Sequence, residues 1–190
     1  MFFLFMALSE SLERGDSELL DDYIRRTAAG DEDGLTNLYE KTRVSVYGIA
    51  LSITKNAEDA EDVTQDTYIR IWQSAHQYKS KGFPLAWILK IARNEALQTL
   101  RKRKDVATDP ADLSALAEKP AVTAEDRMVL ESLFSELEQD EREIVTLYAV
   151  TGMKHREIAD MLNLPLSTEL SKYQRTLKKL GKRWEREMEA

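Results

Sequence analysis

Apolar residues recur at the three- and four-residue spacing of amphipathic helices along most of this 190-residue chain. The first periodic block begins near Ser17 and continues, with short breaks, to Lys104. Asp31 and Asn56 stand where helix N-caps are expected, immediately before apolar periodic segments. Pro84 suits the first turn of a helix that reaches about Lys104. The pattern therefore predicts an all-α fold.

The helical periodicity stops in residues 105–124, where Asp, Ala, Pro and Thr dominate and the charge becomes negative. Such a stretch is typical of an interdomain tether. Beyond it, we expect a short helix over residues 154–162, a turn at residues 163–165 and a long helix from about Leu166. The sequence thus predicts two helical domains, residues 17–104 and 125–187, joined by a flexible acidic linker at residues 105–124.

Residues 56–72 are predicted to form a helix with one apolar and one acidic face. At 100° per residue, Val63, Thr67 and Ile71 fall on the same side as Ala60, which predicts a core stripe. Two large apolar residues, Ile69 and Trp72, lie on the acidic side, although a helix face that contacts only solvent usually carries polar residues. Protein-docking surfaces, in contrast, place apolar anchors inside a charged rim. A charged face with two stray apolar residues is the alternative. The predicted docking face contains Glu58, Glu61, Asp62, Gln65, Ile69 and Trp72.

Composition excludes several kinds of chemistry. The chain has no cysteine, which rules out disulfides and thiol chemistry, and its two histidines, His76 and His155, are far apart. We therefore expect no metal or other cofactor, and His76 and His155 are predicted to be surface or packing residues. No nucleophile–base pair or phosphate-binding glycine loop is found, so no catalysis is expected. The apolar run at residues 1–8 is too short to span a bilayer and lacks a signal-peptide pattern, which favours a cytoplasmic protein. Met6 is an alternative start.

The net charge of −7 hides a strong segregation of charge along the chain. Residues 90–104 carry six basic side chains and one acidic, and residues 171–183 carry six basic side chains and none acidic. Two short cationic helices in an acidic protein predict two separate contacts with a phosphate backbone.

Residues 155–175 have the pattern of a helix–turn–helix motif, in which the second helix enters the major groove of DNA. Ala159 stands where two helices cross closely, and Ile158 and Leu162 are predicted to face the core. A plain helical hairpin with a basic solvated side is the alternative. The predicted packing face of the second helix contains Leu166, Tyr173, Leu177, Leu180 and Trp184. The predicted DNA-facing residues are Ser167, Thr168, Ser171, Lys172, Arg175 and Lys178.

The helix from Pro84, with the loop before it, is a second candidate nucleic-acid element. A basic, aromatic loop beside a polar helix face can hold unstacked bases as well as phosphates. The alternative is a basic helix end that only complements its own dipole. The candidate contacts are Tyr78, Lys79, Lys81, Phe83, Arg93, Asn94, Gln98 and Arg101.

The order of acidic helix, basic loop–helix and tethered helix–turn–helix resembles the extracytoplasmic-function (group IV) sigma factors of bacterial RNA polymerase. The resemblance covers roughly residues 24–180, and its most specific stretches are A-A-G-D-E (28–32), D-A-E-D-V-T-Q-D-T-Y-I-R-I-W (59–72) and W-I-L-K-I-A-R-N (87–94). It implies that the acidic helix, including Asp59, docks on the clamp of the largest polymerase subunit. The loop and Asn94 would capture melted bases of the minus-ten element, and the helix–turn–helix would read the minus-thirty-five element as duplex. An anti-sigma factor is an implied partner.

Two positions depart from the family pattern. Glu169 stands where the family usually has a buried aliphatic residue, and an unpaired buried carboxylate is costly. We expect either that Glu169 lies at the edge and pairs with a neighbouring base, or that the helix rotates to bury Leu170. Asn163 replaces the usual turn glycine, and Asn tolerates the left-handed conformation.

Two other classes of protein account for parts of the sequence. A dimeric duplex-binding regulator would use only the helix–turn–helix and would leave Ile69, Trp72 and the aromatic loop unexplained. A helical adaptor without a nucleic-acid role would leave both basic clusters as solvated surface. Binding to core polymerase separates the sigma-factor hypothesis from both.

Overall fold

The computed structural model describes residues 14–80, 82–105 and 134–188, and within them every regular element is a helix. The all-α prediction is confirmed. The predicted linker after Asp105 and the N-terminal apolar run lie outside the described residues. The helices are α1 (Arg14–Ala28), α2 (Glu32–Thr54), α3 (Ala57–Ser74), α4 (Pro84–Asp105), α5 (Gln139–Ala149), α6 (His155–Leu162) and α7 (Leu166–Met188), with a 3-10 turn at Ala75–Gln77.

The helix ends follow the local chemistry that the sequence predicted. The Asp31 side chain accepts a hydrogen bond from the backbone N–H of Asp33 at 2.9 Å and begins α2. The Asn56 side chain accepts one from the N–H of Asp59 at 2.9 Å and begins α3. Both N-cap predictions are confirmed. Asn163 ends α6 at φ 55°, which confirms the left-handed turn expected there.

The first domain consists of α1–α4, with α2 packed against the other three helices. Leu38, Tyr47 and Ile49 of α2 are fully buried. On α3 the predicted core stripe is confirmed, since Ala60, Val63, Thr67 and Ile71 are all inaccessible to solvent. Each large aliphatic side chain buried in this way contributes about 1.5–3 kcal/mol. The first domain is therefore held together mainly by apolar burial.

The second domain consists of α5–α7, and α5 packs both on α7 and on α2 of the first domain. At the contact between the domains, Gly48 of α2 lies against Thr146 and Val150, so that an added Cβ would be 3.4 Å from the Thr146 methyl group. The tether predicted from the sequence thus connects two domains that touch. No helix in the described ranges has the length and apolarity needed to cross a membrane.

Candidate functional site

The outer face of α3 carries two exposed apolar side chains among acidic and polar ones. Ile69 is 56% exposed and Trp72 is 39% exposed. Asp62 and Gln65 are also exposed, and Glu61 is half-buried. Glu58 is exposed as well, so the structure places six of the seven candidate polymerase contacts named on α3 on an accessible surface. We call this surface the docking face.

Asp59 is the exception among these candidates. It is only 6% exposed, and its Oδ1 lies 2.6 Å from Nη2 of Arg103 on α4. Burial raises the pKa of the Asp59 carboxyl, and the charge of Arg103 acts in the opposite direction. The placement of Asp59 on the docking surface is corrected. It lies in the first turn of α3, on the side that faces α4, and it ties α3 to α4.

The carboxylates of α3 disfavour one another's ionised form. Burial raises the pKa of Asp62, and Glu58 and Asp66 raise it further through like-charge repulsion. A cationic partner surface would relieve this repulsion and would also contact the two exposed apolar side chains that follow the carboxylates along α3. The docking face is thus suited to a basic protein surface with an apolar pocket.

The second candidate site combines the polar side of α4 with the loop before it. Asn94, Gln98 and Arg101 are exposed on α4, and Lys79 is exposed in the loop. Phe83 is 55% exposed at the end of the loop. These side chains form an accessible surface that is basic and partly aromatic. Lys81 lies outside the described residues.

Tyr78 is held by the first domain instead of pointing freely into solvent. Its hydroxyl donates a hydrogen bond to Asp21, and its ring lies 4.9 Å from that of Trp87. Burial, together with the bond to Asp21, raises the pKa of the Tyr78 hydroxyl. Tyr78 therefore anchors one end of the basic loop on α1 and α4.

Arg93, also a candidate DNA contact, is turned towards the second domain. Its Nε donates to Oε2 of Glu143 on α5 at 2.7 Å. The Glu143 side chain is 1% exposed, and its other oxygen accepts from Nε2 of Gln139 at 2.9 Å. The predicted outward placement of Arg93 is corrected, because a buried carboxylate needs a cation and Arg93 supplies it.

Arg142 of α5 makes a further polar contact between the domains, and it is not among the residues predicted from the sequence. It is buried, with Nε donating to the backbone carbonyl of Ser52 on α2 at 2.5 Å and Nη1 donating to the carbonyl of Leu137. Burial lowers the pKa of Arg142, although Glu143 and Glu141 favour its charged form. No local signal indicates this burial, because residues 139–143 are all polar and predict a solvated start of the helix.

On α7, most of the candidate DNA contacts point outward. Ser167, Ser171, Arg175 and Lys178 are exposed, while Thr168 is half-buried. Lys172 is also half-buried, and its ammonium lies 2.7 Å from Oδ2 of Asp140 on α5. Lys172 therefore has a structural partner within the domain, whereas the other basic candidates on α7 are accessible to phosphates.

The packing face of α7 differs from the prediction. Leu166 and Leu177 are exposed, so their assignment to the buried face was wrong. The stripe that packs inward contains Glu169, Tyr173, Thr176 and Leu180, with Glu169 and Thr176 fully buried. Leu166 begins the helix and Leu177 lies at the edge of this stripe, which leaves both in solvent. The Trp184 side chain lies outside the described residues.

Glu169 is completely buried, and it lies 2.9 Å from His155. The expectation that it pairs with a base is therefore confirmed, but the expectation that it lies at the edge was wrong. The alternative, a helix rotated to bury Leu170, is also wrong, because Leu170 is exposed. Nothing in the local sequence identifies His155 as the partner, since it is fourteen positions away.

Comparisons with known proteins match both domains. The family description "Sigma-70 region 2" matches residues 38–106, and "Sigma-70, region 4" matches residues 127–180. The extracytoplasmic-function RNA polymerase sigma factor SigK of Mycobacterium ulcerans (strain Agy99) is 29% identical over 181 residues, which cover 87% of this chain and 94% of that protein. SigK of Mycobacterium sp. (strain KMS) is 29% identical over 159 residues, which cover 78% of this chain and 82% of that protein.

Two solved structures share the fold. CnrH, solved in complex with the cytosolic domain of CnrY, aligns with a TM-score of 0.62 at 21% identity over 87% of this chain and 96% of that one. The sigma factor RpoE of Bartonella quintana, solved with the anti-sigma factor NepR, aligns with a TM-score of 0.60 at 21% identity over 77% of this chain and 94% of that one.

Proposed function

Because the chain belongs to the extracytoplasmic-function class of the sigma-70 family and so directs core RNA polymerase to specific promoters, we propose how its surfaces divide that work. We assign residues 17–104 to region 2, residues 105–124 to the linker and residues 125–187 to region 4. One surface of region 2 binds polymerase, a second binds the minus-ten element, and the helix–turn–helix of region 4 binds the minus-thirty-five element.

The docking face on α3 binds the clamp of the largest polymerase subunit. The observation that carries this proposal is the exposure of Ile69 and Trp72 inside an acidic patch. An exposed tryptophan surrounded by polar groups is the usual composition of an energetic hot spot. Glu61, Asp62 and Gln65 supply the polar rim, and the mutual repulsion of the acidic groups adds a reason to bind a basic partner.

The surface formed by the basic loop and α4 captures melted bases of the minus-ten element. Phe83 offers an exposed ring for stacking, and Asn94 and Gln98 offer amide groups that can both donate and accept. Lys79 and Arg101 are exposed and can neutralise nearby phosphates. Trapping unpaired bases lowers the free energy of the opened strand, so this surface assists strand opening.

The first turns of α7 read the minus-thirty-five element in the major groove, and Arg175 and Lys178 bind its phosphates. The hydroxyls of Ser167 and Ser171 are the exposed polar groups nearest the start of the helix. Neither DNA contact needs to be tight alone, because two contacts on one chain raise the effective concentration of each other.

Sigma factors are non-enzymatic initiation factors, and we assign this chain no catalytic activity. Its place of action is the cytoplasm, with RNA polymerase. An inhibitory anti-sigma factor is a proposed partner, supported by the solved relatives CnrH with CnrY and RpoE with NepR. Exposed Leu170 and Leu177 are candidate contacts for such a partner.

Run-off transcription with purified core polymerase and a random promoter library tests the proposed function. We expect transcripts from a subset of promoters that share two sequence elements, and only when this chain is added. The competing hypothesis, a dimeric duplex-binding regulator, predicts binding to palindromic DNA without polymerase. Failure of the chain to bind core polymerase, with tight binding to such palindromes as a dimer, would overturn the assignment.

A further inference from the structure

A glutamate in the first turn of helix α7 has a completely buried side chain. Glu169 is 0% exposed, and its Oε1 lies 2.9 Å from Nδ1 of His155. Its Oε2 has no hydrogen-bond partner among the residues that the structure describes. A carboxylate oxygen without a proton can only accept, so Nδ1 of His155 is the donor of this hydrogen bond whenever Oε1 accepts it. Burying a carboxylate is unfavourable without such a partner, so the position depends on His155.

Two tyrosine rings pack against His155 and, together with it, connect all three helices of the second domain. Tyr148 of α5 stacks on the His155 ring of α6 with a centroid distance of 4.6 Å and an interplanar angle of 15°. Tyr173 of α7 lies 4.7 Å from both rings. The imidazole is thus clamped between side chains from α5 and α7, which restricts its orientation. Its bond to Glu169 therefore has a defined direction.

Glu169 lies on the side of α7 opposite to the exposed serines at the start of the helix. Ser167 and Ser171 lie two residues before and after Glu169, about 200° around the helix, and so on the opposite side. Both are exposed, and the Ser171 hydroxyl donates to the carbonyl of Ser167 at 2.7 Å. A rotation of α7 about its axis would move these hydroxyls and leave the buried contact strained. Base readout depends on such placement, because a hydrogen bond to a base edge has a narrow geometry.

We propose that Glu169 and His155 are positioning residues that set the rotation of α7 and thereby determine the sequence preference of the helix–turn–helix. This inference rests on the proposed binding of the minus-thirty-five element by α7. The ordinary alternative is polar packing that contributes only to stability. A positioning role predicts that substitutions change the discrimination between promoters even when stability is preserved. Polar packing alone predicts that discrimination changes only when stability does.

The test uses the intact chain in complex with core polymerase. The measured quantity is the discrimination ratio, defined as the affinity for a promoter with the selected minus-thirty-five element divided by the affinity for one with that element scrambled. Thermal unfolding of each free variant gives its melting temperature. The variants are Glu169→Leu, Glu169→Gln, His155→Leu and the double variant H155L/E169L, with Asp160→Asn as a control that neutralises an exposed carboxylate of α6.

Glu169→Leu is expected to lower the discrimination ratio about tenfold, the value of one good base contact. Its melting temperature should not fall, because an apolar side chain replaces a buried carboxylate. Glu169→Gln should keep the parent ratio, since the amide oxygen still accepts from Nδ1. Asp160→Asn should behave as the parent.

His155→Leu leaves the buried carboxylate without a partner and should lower the melting temperature by about 10 °C. The double variant removes both polar groups and should recover that stability without recovering the ratio. It therefore keeps the test decisive even if His155→Leu fails to fold.

Three results would overturn the inference. The first is an unchanged discrimination ratio in both Glu169→Leu and the double variant, and the second is a discrimination ratio that falls only in those variants whose melting temperature also falls. The third is an equal loss of the discrimination ratio in Glu169→Gln and Glu169→Leu. Failure of the proposed function would look different, because the parent complex itself would show no preference for the selected element.

Discussion

The two domains are stabilised in different ways. In the first domain, the buried residues of α2 and α3 are mostly apolar, and the main polar ones are Thr and Ser hydroxyls that bond within their own helices. In the second domain, Glu141, Arg142, Glu143 and Glu169 are all buried, and each is paired with a basic side chain, an imidazole or a backbone carbonyl elsewhere. Apolar burial tolerates small shifts, whereas paired charges do not. The first domain is thus a robust scaffold, and the geometry of the second depends on specific partners.

The difference extends to the contact between the domains. Arg93 and Glu143 pair across it, and Arg142 reaches the Ser52 carbonyl. In this arrangement one candidate DNA contact, Arg93, is occupied by a carboxylate of the other domain. If the two domains differ in this way, removing a buried polar partner in the second domain should cost more than removing an exposed side chain from either domain.

Arg142→Ala should have the largest effect, because it leaves the carbonyls of Ser52 and Leu137 without a donor at a buried site. We expect the free energy of unfolding of the second domain to fall by about 3 kcal/mol. Chemical denaturation followed by circular dichroism measures it. Arg156→Ala, an arginine exposed on α6, is the matched control. Equal stability of the two variants would show that Arg142 is dispensable for packing.

Trp72→Ala should weaken binding to core polymerase roughly 30-fold without lowering the melting temperature, since the indole is partly exposed and contributes mainly to the docking face. The affinity can be measured by competition with a labelled copy of the parent chain. Gln73→Ala changes an exposed neighbour on the same helix and should leave affinity intact. A Trp72 variant that binds as tightly as the Gln73 control would remove this residue from the interface.

Asn94→Ala should reduce formation of the open promoter complex about tenfold, because an exposed amide that binds an unpaired base is lost. Formation of the closed complex should change much less, since the bases are still paired there. Permanganate footprinting of the opened strand, alongside closed-complex binding at low temperature, separates the two steps. An equal loss in both would argue against base capture.

Arg175→Ala should have the smallest effect, since it removes one exposed charge from α7. We expect the logarithm of the affinity for the minus-thirty-five element to depend less steeply on the logarithm of salt concentration, by about one unit of slope. Titrations at several salt concentrations measure this, with Gln174→Ala as the uncharged control. An unaltered slope would mean that Arg175 does not touch phosphate.

Much of the molecule was predictable because it depends on local rules. The caps at Asp31 and Asn56 follow from short polar side chains that bond to backbone N–H groups two or three residues ahead. The buried stripe of α3 and the exposure of Ile69 and Trp72 follow from helical periodicity. The candidate sites on α3, on α4 and at the start of α7 were therefore identified from spacing and charge.

The misplacement of Asp59 and Arg93 has one cause, which is the long-range pairing of charge. Arg93 was assigned to an exposed surface by its helical position and Asp59 to the docking surface by the family resemblance, but each is bound by a residue at least 44 positions away. Leu166 and Leu177 were assigned to the core by their hydrophobicity, yet the inward stripe of α7 includes Glu169 and Thr176. Because Asp and Glu are rarely buried without a partner, a carboxylate is predicted to be exposed to solvent when its partner is not known from the sequence.

The amino-acid sequence alone determined the helices, their caps, the separation into two domains and the surfaces rich in one charge, since each depends on residues within a few turns of one another. Only the tertiary structure decided which charged side chains remain exposed and can therefore bind a partner. Whether Asp59, Arg93 or Glu169 faces solvent depends on Arg103, Glu143 and His155, which the fold brings within 3 Å. Desolvation makes such pairing obligatory, and sequence distance carries no information about it.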